Sequence, residues 1–257
     1  MKQIATGFSI LFFGTMLMAG IDETELYTVK SGKIEYSVNG FGEIMGQRIE
    51  TTGTKSVIFD KYGLENLTEE KKVDKQSIMG EKQIDTVHSI TYMNGETLYR
   101  VDFKNRRITR MENLDVKMAG RMVGNKNMTQ TGLKMMRQMG GKRTGREKIL
   151  GYTCDVWELI GTKQCIYQGV PLLIESNILG IHNREIATKA TFGLKLSKRD
   201  FQLPDFPVYD IYGKKLDKNT LESLNKKIEM DKAKAMAEMN RLLSTAAKEL
   251  GVKKYKE

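Results

Sequence analysis

The chain has 257 residues, with 42 Lys and Arg against 32 Asp and Glu for a formal charge of +10, two cysteines and three prolines. That length suits one large domain or two small ones, and the lack of any Pro/Ser-rich linker argues against separate halves. A positive charge of this size in an exported protein points to anionic lipid head groups, cell-wall polymers or an acidic partner rather than nucleic acid, or else to a well-solvated surface of scattered lysines.

Lys2 followed by the apolar run Ile10–Met18 and the small residues Ala19 and Gly20 reads as a signal peptide over 1–19. The run is too short to span a bilayer, so the expectation is a periplasmic or secreted protein, soluble after cleavage. From Lys33 to Met111 the chain reads as antiparallel strands. Ile34, Tyr36 and Val38 alternate with Lys33, Glu35 and Ser37, and Asn39-Gly40 predicts a tight turn because both residues tolerate positive φ. The segment Lys55–Tyr62 is β-rich and stops at Gly63. Asn94-Gly95 predicts a hairpin with Tyr92 opposite Thr97 and Ile90 opposite Tyr99, and Asn105-Arg106 a second with Phe103 opposite Ile108. A meander of eight to eleven strands results, which favours a curved sheet or partly open barrel.

Between Met111 and Gly145 the period changes. Met111, Leu114, Met118 and Met122 approximate helical spacing, as do Leu133, Met136 and Met139, with Thr129 as a cap and Gly140-Gly141 as a stop. Strands return at Tyr152–Leu159, Gln164–Tyr167, Val170–Ser176 and Ala187–Leu196, and Leu203–Val208 reads as an extended exit. From Asn219, with Glu222 three residues on as a capping box, Leu221, Leu224, Ile228 and Ala235 begin the apolar stripe of a long C-terminal helix. That helix docks on the sheet, pairs with a partner helix or lies on an anionic membrane surface.

Cys154 and Cys165 flank a hairpin turn, and an exported protein with two cysteines usually pairs them. The seven methionines from Met111 to Met139 have three readings: ordinary packing of helices on a sheet, an adaptable lining for lipid tails, or thioether ligands for copper(I). No histidine lies near Met136-x-x-Met139, which disfavours the metal. His88 and His182 fit no zinc or haem spacing, and neither Gly-x-Ser-x-Gly nor a P-loop is present. No enzyme, metal or cofactor is expected. Trp157, three residues from Cys154, reads as a buried sheet anchor.

Val29–Tyr36 (VKSGKIEY), Ile108–Asn113 (ITRMEN), Met135–Gly141 (MMRQMGG), Glu147–Glu158 (EKILGYTCDVWE), Leu172–Gly180 (LLIESNILG) and Phe201–Pro204 (FQLP) occur in this order. Together they resemble an uncharacterised family of exported bacterial proteins similar to the periplasmic lipoprotein carrier and outer-membrane lipoprotein receptor (LolA/LolB-like) fold. The resemblance spans roughly residues 27 to 207. It departs at Cys165, where an aromatic residue is expected. It implies an α+β, mainly β fold: a strongly curved antiparallel sheet or half-open barrel covered by helices. The expected organisation is the signal peptide over 1–19, the curved-sheet domain over 20–212 and an amphipathic helix over 213–257.

The functional expectation is a non-enzymatic protein holding a lipid or lipoprotein acyl chain between sheet and helices. Met118, Met122, Leu133, Met136 and Met139 would line the helix side, and Tyr36 and Tyr92 the sheet side. The alternative is an envelope interaction protein, with no internal ligand, whose basic C-terminal helix binds a partner protein or an anionic surface.

Overall fold

The computed structural model describes residues 25–44, 46–78, 81–113 and 128–249. Thirteen strands form: β1 (Gly32–Ile44), β2 (Gln47–Asp60), β3 (Glu65–Ile78), β4 (Glu81–Asn94), β5 (Thr97–Asp102), β6 (Arg107–Glu112), β7 (Lys142–Ile149), β8 (Tyr152–Leu159), β9 (Thr162–Tyr167), β10 (Val170–Ile178), β11 (Ile181–Phe192), β12 (Val208–Tyr209) and β13 (Lys215–Leu216). Among the described residues two α-helices accompany them, α1 (Met128–Gln138) and α2 (Lys218–Glu249). All strands belong to one open, curled sheet in the order β13-β12-β6-β5-β4-β3-β2-β1-β11-β10-β9-β8-β7. Neighbours pair antiparallel except for the two-residue parallel contact of β12 with β6. The count exceeds the eight to eleven expected, because β12 and β13 are pairs too short to leave a periodic pattern.

Four sequence readings shift. Asn39-Gly40 lies inside β1, opposite Arg184 and Asn183 on one side and Thr52 and Thr51 on the other, not at a turn. Gly40 is there for close approach: a Cβ would lie 2.5 Å from Asn183 Oδ1. The β4–β5 hairpin turns at Gly95-Glu96, so Tyr92 faces Tyr99, Ile90 faces Val101 and Asn94 faces Thr97. Only Gly95 there has a positive φ, +57°, the glycine-first pattern of a two-residue hairpin loop. Since the register moves by two residues, every side chain keeps its face. Likewise Ile108 faces Val101 and not Phe103, because Asp102 holds the next turn by accepting from the Asn105 amide at 2.9 Å and its side-chain nitrogen at 2.7 Å. Met111 belongs to β6 rather than a helix. Leu114, Met118 and Met122 lie outside the described residues.

α1 ends where expected. Gly140 takes φ +91°, and the Gly141 amide donates to the Met136 carbonyl at 2.8 Å. The core gathers Ile34 and Tyr36 from β1, Val57 and Phe59 from β2, Cys154 and Val156 from β8, Cys165 from β9, Val170, Leu172 and Leu173 from β10, and Ala187 from β11. Cys154 and Cys165 are disulfide-bonded with Cα atoms 5.3 Å apart. Cys165 pairs directly with Val156, so the bridge runs diagonally to the next residue on the same face.

Candidate binding site

Direct cross-strand partners share a face, so the registers assign each side chain to one side of the sheet. Val38, Glu185, Ile174, Gln164 and Trp157 follow one another across β1, β11, β10, β9 and β8 on one face. All but Gln164 are buried, and Arg137 of α1 sits 5.3 Å over the Trp157 ring, so α1 covers this face. Tyr36 stands on it too, opposite Lys55. Its hydroxyl donates to the Pro171 carbonyl at 2.9 Å, and burial pushes its pKa well above the usual tyrosine value, with Tyr27 and Glu185 adding to the rise. Lys55 Nζ lies 2.7 Å from Glu185 Oε2 and 5.5 Å over the Tyr36 ring, an ion pair almost withdrawn from water.

The opposite face carries a different pattern at the strand ends. Asn39, Arg184, Glu175, Lys163, Glu158 and Lys142 form a ladder of register partners across six strands. Its charges alternate in sign, and Arg184 Nε donates to Glu175 Oε1 at 2.7 Å. Beside it Phe41 and His182 stack with centroids 4.8 Å apart and planes at 12°. These residues, with Leu159, Ile160, Gly161 and Gly140 just beyond α1, line an open cleft of about 800 Å³.

Two of the cleft's lining residues are apolar and exposed, Phe41 at 61% and Ile160 at 75%, and Leu179, 86% exposed, occupies the neighbouring β10–β11 turn. Ile160 and Leu179 occupy hairpin turns with φ of 44° and 53°, a left-handed conformation costly for such side chains, each followed by a glycine that completes the turn. The Gly161 carbonyl ties the two turns together by accepting from the Asn177 amide at 2.8 Å.

Of the sequence-predicted lining residues, Leu133 and Met136 are half-buried on α1, and Met139 is 58% exposed next to Gly140 of the cleft. Met118 and Met122 lie outside the described residues. Tyr92 stands on the face opposite Tyr36, so the two do not line one cavity. Its hydroxyl donates to Glu65 Oε1 at 2.8 Å, and burial together with that carboxylate pushes its pKa up. Phe41, Ile160, Leu179 and His182 were missed by sequence reasoning. The repeated pairing of a large apolar residue with glycine, at Leu150-Gly151, Ile160-Gly161 and Leu179-Gly180, is the signal that could have found the tips.

Among the described residues, no group of three or more His, Cys, Asp or Glu could hold a metal ion, and no helix is long and apolar enough to cross a membrane.

No protein-family model matches the chain, and no curated protein matches it. Solved structures similar to it include an uncharacterized conserved protein from Thermus thermophilus, 8% identical over 69% of this chain and 90% of that one, with a TM-score of 0.38. MucB is 12% identical over 71% of this chain and 60% of its own, with a TM-score of 0.37. A Vibrio parahaemolyticus domain described as outer membrane lipoprotein-sorting is 9% identical over 67% of this chain and 89% of that one, with a TM-score of 0.26. At such scores and identities the likenesses transfer no ligand or activity to this chain.

Proposed function

We propose that this is an exported binding protein that holds an apolar ligand, a lipid or lipoprotein acyl chain, and performs no chemistry on it. The observation that carries this reading is Phe41 and Ile160 exposed in the lining of the cleft, with Leu179 exposed on the turn tied to that of Ile160. Large apolar side chains clustered at a concavity are what an apolar ligand would cover, and each contributes about 1.5–3 kcal/mol when fully buried. Gly140, just beyond α1, lines the cleft, and Met139 precedes it in the sequence, where its soft thioether suits an irregular acyl chain. In the charged ladder Arg184 pairs with Glu175, while Lys163 reaches out to Glu147, and these groups supply polar contacts for a head group.

Native mass spectrometry of protein purified from its own envelope tests the reading. Bound lipid is expected in the wild type and is lost in the double variant Phe41→Asp/Ile160→Asp. A clean apo mass for the wild type would refute it.

A second reading has its own support. Residues 213–257 hold twelve Lys and Arg against seven Asp and Glu, and Lys226, Lys227 and Lys234 of α2 are exposed. An anionic surface or an envelope protein would meet that charge. Vesicle binding lost on removal of 213–257 and weakened by salt supports it, and binding unchanged by truncation excludes it.

A further inference from the structure

Among the described residues, Arg110 is a buried cation without an anion. The residue is 9% exposed, and its Nε has no hydrogen-bond partner. Its other contact is weak: Nη2 donates to Thr97 Oγ1 at 3.5 Å, and Thr97 is itself buried. No carboxylate among the described residues lies within ion-pair distance of the guanidinium, although the rest of the sheet pairs its charges freely. Two carboxylates neighbour Arg110 by topology. Glu112, two residues on along β6 and opposite Thr97, makes no ion pair with it. Asp210 follows β12 directly after Tyr209 pairs with Thr109. The Asp210 Oδ1 is already engaged, accepting from the amides of Tyr212 at 2.9 Å and Lys214 at 2.8 Å. On the β5 side Arg110 faces Tyr99, whose ring stacks on Tyr92, and Tyr92 commits its hydroxyl to Glu65. An unpaired guanidinium withdrawn from water is costly, and unsatisfied buried groups of this kind point to an absent ion or ligand.

We propose that Arg110 receives an oxyanion, a carboxylate or phosphate, with the Thr97 hydroxyl as a second donor. The planar guanidinium fork matches both groups in two parallel hydrogen bonds, and Nε is one of the two donors on its side edge. Thr97 accepts from Arg110 through its oxygen and keeps its proton to donate. The site lies on β5 and β6, well away from the cleft on β1 and β7 to β11, so its failure leaves the cleft reading untouched.

Thermal unfolding of the full chain is measured with inorganic phosphate, with dodecyl phosphate below its micellar concentration and with dodecyl maltoside as the neutral control. Stabilisation by inorganic phosphate identifies a free anion. Stabilisation by dodecyl phosphate alone identifies an anionic amphiphile. Either effect must disappear in Arg110→Met. No stabilisation by either phosphate, or an equal response in Arg110→Met, overturns the proposal. In the wild type, the Arg110 Nε–H resonance should shift downfield during titration with the stabilising probe. A resonance that stays fixed through both titrations also overturns it, whether or not the variant folds.

Discussion

The two ends of the long β1–β4 ribbon are built differently. Where β1 and β2 meet the disulfide-bearing strands, Ile34, Phe59, Leu172 and Cys165 have no exposed surface. Tyr27 crosses Phe59 edge-on at 4.6 Å, and Tyr152, Tyr167 and Phe192 pack against one another. At the far end of β3 and β4, every residue from Glu81 to Thr86 is exposed and Asp74 faces Asp85 directly across the pair. That end stays extended through its backbone ladder and through polar contacts such as Thr51 donating to Asp74 at 2.7 Å. Strand length and burial are therefore separate properties. A ladder of backbone bonds carries a hairpin well beyond the core that anchors it.

The largest contrast comes from deleting side chains at the two ends. Phe59→Ala should cost about 3–5 kcal/mol, the range for a fully buried aromatic residue whose cavity cannot collapse. Ile84→Ala, in the exposed part of β4, should change stability by no more than about 0.5 kcal/mol. Urea unfolding of the two variants checks both, and similar losses would erase the distinction. Next in size is the ion pair inside the buried end. Lys55→Ala strands Glu185, whose side chain is 5% exposed, and should cost about 3 kcal/mol. Lys55→Met combined with Glu185→Leu should recover most of that loss, because apolar replacement leaves no buried charge unpaired. A double variant as weak as the single would show that the pair also positions Tyr36.

The disulfide comes third and was the most legible feature of the sequence. The expectation of export, two cysteines and a glycine between two β-rich runs were enough to place it. Cys154→Ala/Cys165→Ala should lose about 2–3 kcal/mol, since the closed loop is short. Equilibrium unfolding of both forms measures it, and an unchanged midpoint would mean that packing alone fixes the hairpin. The strand meander was legible for the same reason, because alternating residues and turn glycines are local signals. The cleft was not. Its ladder joins Asn39 to Lys142 across six strands, and no local window contains that partnership. Asn39-Gly40 misled because the pair satisfies turn chemistry, while its glycine is needed for strand approach. Tyr36 and Tyr92 look alike in sequence, yet an odd register offset sends them to opposite faces.

The smallest effects are those of pH, and they should separate the two ends by sign. In the buried end, burial pushes Tyr27 up to about 12 from 10.0 and raises Tyr36 as well. The folded state favours their neutral forms, so their contribution is complete below pH 10 and declines as pH rises above it. In the polar half of the ribbon, the Lys71 ammonium and then His88, 2.8 Å away, hold the Glu69 carboxyl below its usual 4.5. Its contribution is present above pH 4.5 and is lost as acid protonates the folded carboxylate. Amide hydrogen exchange, corrected for intrinsic rates, should therefore show β3 and β4 around Glu69 loosening first in acid. Strands β1, β2 and β10 should loosen first in alkali. Tyr27→Phe should blunt the alkaline response without altering the acid one, and Glu69→Gln the reverse. If both substitutions moved both limbs together, the ribbon would be opening as one cooperative unit, and the difference between its ends would be one of packing and not of local stability.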